Sequence, residues 1–172
     1  MTPVISDDTA EIMSADKVIF PGQGEARNTM QYLREKGLDK VICGLRQPVL
    51  GICIGMQLMC RHSEEGDTAC LGIFDVGVRK FVPRRQEDKV PHMGWNSLSG
   101  AKGKLFEGLP DTPFVYFVHS FYVPPTAHTA AESNHIVPFS AALHDGNFYA
   151  TQFHPEKSGV VGETILRNFI GL

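Results

Sequence analysis

Cys53 stands in the run PVLGICIGMQLMC, Pro48 to Cys60, with Gly51 two residues before it and Gly55 two residues after. Gly-x-Cys-x-Gly between an apolar run and a helix-like run fits a nucleophile elbow. Such a turn is strained, and side chains at the flanking positions would collide with neighbouring backbone. A thiol reacts as its thiolate and has an ordinary pKa of about 8.5, so it needs a base and favourable local charge. A helix starting at Ile54 supplies partial positive charge at its N-terminus and aims the Ile54 N–H at an oxyanion. The competing reading of Cys53 is a small inert thiol at a strand end, since free cysteines are among the most buried residues.

The base that such a thiol requires has a candidate far downstream, in TQFHPEKSG. His154 follows a β-like run, Pro155 stiffens the next link, and Glu156 is placed to hold the imidazole by its other nitrogen. The alternative is a surface His-Pro-Glu turn. PGQGEA, Pro21 to Ala26, is a glycine-rich loop after an early strand, where open α/β sheets border their ligand crevice. It lacks the Lys-Ser/Thr and GxGxxG features of phosphate loops, so an oxyanion loop beside Cys53 is the better expectation.

These groups need elements to carry them. Lys17 to Phe20 reads as a buried strand ended by PGQG, and EARNTMQYLREKG as a helix with Met30 and Leu33 on one face and Gly37 as its stop. LDKVICGLR predicts a second short helix, PVLGI a buried strand, and Ile54 to about His62 a third helix. This alternation argues for a parallel α/β sheet. LGIFDVGVRKFVP, KVPHMGWNSL, FVYFVHSFYV, SAALHD and NFYATQF read as shorter strands, with an Asp145-Gly146 hairpin signal. EKSGVVGETILRNFIGL closes the chain as a helix with Ile165, Leu166 and Phe169 toward the core. The fold class expected is α/β, an open mostly parallel sheet flanked by helices in flavodoxin-like layers, with a smaller antiparallel β portion, all in one domain over 1–172.

Composition sets outer limits. The chain has 172 residues, 42% hydrophobic and 20% charged, with a net charge of −3, so it can bury one core and carries no basic face for nucleic acid. No apolar run reaches the ~20 residues of a membrane helix, and the acidic N-terminus lacks a signal-peptide plan; a cytoplasmic protein is expected. Cys43, Cys53, Cys60 and Cys70 form no CxxC pair. Cys60 and His62 could share a metal, but no second ligand pair at zinc spacing follows, so none is expected.

GICIGMQ, HPEK and PGQG together resemble the class I glutamine amidotransferases, which hydrolyse glutamine to glutamate and ammonia through a Cys-His-Glu triad. VPHMGWN (Val90 to Asn96), RHSEEG (Arg61 to Gly66) and YFVHSFYV (Tyr116 to Val123) narrow the resemblance to glutaminase subunits of imidazole glycerol phosphate synthase, of histidine biosynthesis. It runs from about Asp16 to Leu172. The resemblance implies Cys53 as nucleophile, His154 as general base and acid, and Glu156 as its orienting carboxylate. Gly22, Gln23 and Gly24 match the oxyanion strand, many members having an aliphatic residue where Gln23 stands; a backbone donor tolerates that change. The loop is thought to become productive only with the loaded partner.

By the same resemblance, Gln57 and Glu65 contact glutamine, and the backbone of His119, Ser120 and Phe121 holds its carboxylate end. Gln57 lies one helical turn past Cys53 on the same face, Glu65 has a solvated acidic loop as its alternative, and His119 is expected to be structural. Trp95 and Lys157 match positions at the partner interface, against the alternatives of a core tryptophan and a solvated lysine. No cofactor is implied; the partners implied are L-glutamine and a synthase/cyclase subunit in a heterodimer. Family members usually have a strand and a helix before the segment that opens here, so an N-terminally short chain with Met1 as an internal start is expected. From that follow expectations of an unpaired strand edge, lower stability, strand exchange between copies and impaired coupling. The rival expectations are a glutaminase serving another synthase, a related α/β cysteine hydrolase or peptidase, and a non-enzymatic binding subunit.

Overall fold

The computed structural model describes residues 2–172; Met1, whose status as the natural start the sequence reading questions, lies outside them. In chain order the elements are α1 (Thr9–Ser14), β1 (Val18–Phe20), α2 (Ala26–Glu35), α3 (Leu38–Gly44), β2 (Val49–Ile52), α4 (Ile54–Met59), β3 (Cys60–Ser63), β4 (Thr68–Ala69), β5 (Phe74–Lys80) and β6 (His92–Ser97). There follow β7 (Phe114–His119), β8 (Phe121–Tyr122), β9 (Thr129–His135), β10 (Val137–Asp145), β11 (Phe148–Thr151) and α5 (Gly159–Ile170), with a short 3₁₀ turn at Pro155–Lys157 before α5.

The main sheet has five strands in the order β1-β2-β11-β10-β9. β1, β2 and β11 run parallel, whereas β10 pairs antiparallel with both β11 and β9. A second sheet orders β4-β3-β5-β8, and β6 pairs with β7 as an antiparallel ribbon. The layered α/β class expected from the sequence is present, with an antiparallel share larger than expected. The expected Asp145-Gly146 hairpin joins β10 to β11, and Gly146 takes the positive φ of 56° that such a turn requires.

One face of the main sheet packs Leu50, Ile52, Phe139 and Phe153 against Phe117 of β7 and Ile165 and Phe169 of α5. On the other face, Val49 packs with Met56, Met59 and Phe74. Beyond it lie Met30, Leu33, Leu38, Ile42, Ile54 and Leu58 from α2, α3 and α4. Ala26, Met30 and Leu33 recur at the helical interval that buries one face of α2. Leu166, expected in the core, is only partly buried beside it.

One boundary and one strand differ from the sequence expectation. The third helix ends at Met59 instead of continuing to His62, because Cys60–Ser63 pairs with β5 and β4. Strand pairing there outweighs the local helical pattern. β9 was not anticipated; its TAAESNH has few residues that favour strands and owes its conformation to β10. Among the described residues, no helix is long and apolar enough to cross a membrane.

Candidate active site

Three adjacent parallel strands deliver the site. β1 ends opposite Gly51 of β2, and Ile52 of β2 lies opposite Thr151 of β11. The loops leaving the carboxyl ends of all three therefore emerge on one edge, the usual ligand crevice of such sheets. They carry Gly22–Gly24, Cys53 and His154. One further ladder bond, Cys53 N–H to Thr151 O at 2.7 Å, fixes the height of the cysteine against β11.

Cys53 has φ 52° and ψ −107°, a conformation that only surrounding packing sustains in a non-glycine residue. The glycines around it are needed for space. A Cβ on Gly51 would lie 2.9 Å from Gly55 C and Met59 Sδ, and one on Gly22 would lie 2.7 Å from Cys53 Cβ. A Cβ on Gly55 would run into the Phe20 carbonyl. A small inert thiol at a strand end has no need of a strained corner crowded by three glycines, whereas an elbow does.

A cleft of about 760 Å³ opens over this corner, and it gathers residues that are distant in sequence. Gly22, Gln23, Gly24, Cys53, Ile54, Gln57, Glu65, His119, Ser120, Phe121, His154, Glu156 and Lys157 all line it. Trp95 does not. It lies 57% exposed on β6, edge-on to Tyr116, which rules out the core-tryptophan alternative and leaves it outside the cleft.

His154 follows β11 and is buried. Its Nδ1 is 2.7 Å from Glu156 Oε1, while its Nε2 is buried with no hydrogen-bond partner among the described residues. β7 clamps the turn: His154 N–H donates to Tyr116 O at 3.0 Å, the Ser158 hydroxyl donates to His154 O at 2.6 Å, and Tyr116 N–H donates to Ser158 Oγ at 2.9 Å. The carboxylate contact favours the proton on Nδ1 and leaves Nε2 a free acceptor. Cys53 does not occupy that acceptor. Its thiol points instead to Val118 O at 3.8 Å.

Burial pushes the Cys53 thiol up to about 11; the Ile54 backbone N–H acts against this, the Glu156 carboxylate with it, the Gln152 amide against it and Glu65 with it. The N-terminus of α4 was expected to favour thiolate. In the resting cleft that effect loses to desolvation, because α4 has only six residues, all buried.

The remaining candidates have internal partners. The Gln57 amide donates to Phe121 O at 3.1 Å and to Gln152 Oε1 at 2.9 Å. Glu65 Oε2 accepts the Ala26 N–H at 2.8 Å, capping α2 beside Glu25, so it is more than a solvated acid. His119 Nδ1 is 2.7 Å from Phe121 O, and its Nε2 is 3.0 Å from Nδ1 of His92, its cross-strand partner. His92 Nε2 in turn faces Asn96 Nδ2 at 3.3 Å. Carbonyl oxygens only accept, so this chain sets both tautomers: His119 carries its proton on Nδ1 and His92 on Nδ1. Burial holds His119 down to about 3 and His92 down to about 4, so both are neutral.

Sequence reasoning missed Gln152, Ser158 and His92. Gln152 is a polar residue inside an apolar β run, the only local signal it offered. Cys60 is wholly buried and His62 pairs with Asp67 at 2.8 Å, so the two do not form a shared ligand pair.

A family model described as "Glutamine amidotransferase class-I" matches residues 3–171. The chain is 65% identical over 169 residues to a protein of Bacteroides thetaiotaomicron named "Imidazole glycerol phosphate synthase subunit HisH", covering 98% of this chain and 86% of that one. A protein of the same name from Yersinia pseudotuberculosis is 44% identical, with the same shares covered. A crystallised glutamine amidotransferase has the same fold at TM-score 0.67 and 17% identity, over 97% of this chain and 85% of that one.

Proposed function

This chain belongs to the class I glutamine amidotransferase family, and from that premise we propose that it is the glutaminase subunit of imidazole glycerol phosphate synthase. In this reading the chain acts as one glutaminase domain in the cytoplasm. It hydrolyses L-glutamine and passes ammonia to a synthase/cyclase subunit, in a heterodimer that serves histidine biosynthesis. The observation that carries it is 65% identity to a subunit of that name over 98% of the chain.

The cleft supports the chemistry. The Cys53 thiol gives its proton to His154 Nε2, and the sulfur attacks the side-chain amide carbon of glutamine. The oxyanion is held by the Ile54 N–H and a backbone N–H from Gly22–Gly24. His154 returns the proton to the amide nitrogen, the C–N bond breaks, and ammonia leaves a thioester on Cys53. Water then gives a proton to His154 and attacks the thioester; the C–S bond breaks, glutamate leaves, and the sulfur regains its proton. Glu156 keeps the imidazole oriented throughout, and Gln57, Glu65 and the backbone at His119, Ser120 and Phe121 hold the amino acid.

Two features of the resting cleft fit low activity without a partner: a thiol well above neutral pH, and a His154 Nε2 not yet joined to it. In this reading Trp95, exposed on β6 outside the cleft, and Lys157, in the cleft lining, belong to the face that meets the partner. The test is ammonia release from glutamine with and without the synthase subunit, alone and loaded with its own substrate, for the chain and for Cys53→Ala. Activity that rises with the loaded partner and vanishes in Cys53→Ala is expected. Glutaminase activity that survives Cys53→Ala overturns the mechanism, and activation by a different synthase alone overturns the choice of partner.

A further inference from the structure

Gln152 has no assigned role, yet it touches the sulfur. The ladder explains why: with Ile52 opposite Thr151 and Cys53 N–H bonded to Thr151 O, the residue that follows β11 falls beside Cys53. Gln152 is 0% exposed, and its Nε2 lies 3.8 Å from Cys53 Sγ. A buried primary amide is costly unless its groups are partnered. Its oxygen is satisfied by Gln57 Nε2 at 2.9 Å, and its nitrogen has the sulfur.

The direction of that amide is fixed by its neighbours. Phe121 O can only accept, so the end of Gln57 that faces it must be the NH₂. That same NH₂ reaches Gln152, which must therefore present its oxygen there. The Gln152 NH₂ is left pointing at Cys53. We propose that Gln152 is a further catalytic residue of this site, whose side-chain N–H holds the Cys53 sulfur and favours its ionised form. This rests on the reading of Cys53 as nucleophile.

A neutral thiol is a weak acceptor, which suits a contact of 3.8 Å; a thiolate accepts a charge-assisted bond that is shorter and stronger. The groups facing Cys53 otherwise divide against ionisation. The carboxylates of Glu156, from the turn after β11, and Glu65, from the loop after β3, oppose it. The Ile54 N–H of α4 favours it, and His154 can take its proton. The Gln152 side-chain amide acts with Ile54.

The test follows alkylation of Cys53 by iodoacetamide against pH in the full chain, read by tandem mass spectrometry whose fragment ions localise the label to Cys53, so that Cys60 on the same peptide, and Cys43 and Cys70 elsewhere, do not interfere. Gln152→Glu keeps the acceptor for Gln57 but loses the donor; Gln152→Leu loses both. An upward shift of the alkylation midpoint by roughly one pH unit, and hence roughly tenfold slower alkylation at about pH 8, is expected in both, larger in Gln152→Glu. Gln57→Met leaves Gln152 in place but free to turn, and a smaller upward shift is expected, which keeps the question open to test if the Gln152 variants unfold. A folded Gln152→Glu with the wild-type midpoint, or unfolded Gln152 variants together with an unshifted Gln57→Met, overturns the proposal. Because alkylation needs no turnover, its outcome is independent of whether Cys53→Ala abolishes glutaminase activity.

Discussion

His154 and His119 line the same cleft, both buried, and are opposites in bonding. Among the described residues, His154 has a carboxylate on one nitrogen and nothing on the other. His119 has both nitrogens taken, by a carbonyl and by His92. Position and burial do not separate them. What separates them is an unfilled acceptor backed by a carboxylate, the condition for taking a proton and then bearing the charge. His119 instead braces the backbone at Phe121 from within a cluster of tilted rings that includes Phe81, Phe117 and Phe139.

The contrast can be broken most directly by exchanging each histidine for asparagine. His154→Asn should lower kcat for ammonia release by roughly 10³–10⁴-fold, and His119→Asn by less than about tenfold, its effect falling on KM. Comparable losses of kcat in the two would abolish the distinction. A step smaller is Glu156→Gln, which removes the anion and leaves the shape. Half of the Glu156 side chain is solvent-exposed, at 48%, so a loss of roughly 10–10²-fold is expected, below that seen for buried orienting carboxylates. An unchanged kcat would mean that the turn at Ser158 orients His154 by itself.

The smallest effect concerns stability. Burial is the first cause that lowers His119 to about 3 and His92 to about 4, against 6.5 in the unfolded chain. Between those values the unfolded chain binds more protons than the folded one. Stability is therefore complete above about pH 6.5 and is lost as pH falls through the folded values. Urea midpoints measured from about pH 7 down to pH 4 should fall, and less steeply in His119→Asn. An identical slope in the variant would show that the pair does not govern acid sensitivity.

Much of the site was legible from residue types because its pieces are local. The elbow needs glycine at Gly51 and Gly55 to clear adjacent backbone, and His154, Pro155 and Glu156 are neighbours in the chain, so each leaves a short pattern. α2 and α5 were legible through their helical spacing. The end of α4 was not, because Cys60–Ser63 becomes a strand through partners at β4 and β5 that its own residues do not announce. β9 escaped for the same reason.

By itself, then, the sequence determined the candidate nucleophile, its candidate base and the strand ends that carry them, since those depend on backbone space and on residues within one turn. The tertiary structure decided the rest. Parallel pairing of β2 with β11 set Gln152 against Cys53, and pairing of β6 with β7 saturated His119 through His92. Burial of the whole of α4 raised the thiol that its N-terminus was expected to lower. Such outcomes turn on which neighbours are within hydrogen-bond reach and how much water remains, and only the assembled chain specifies both.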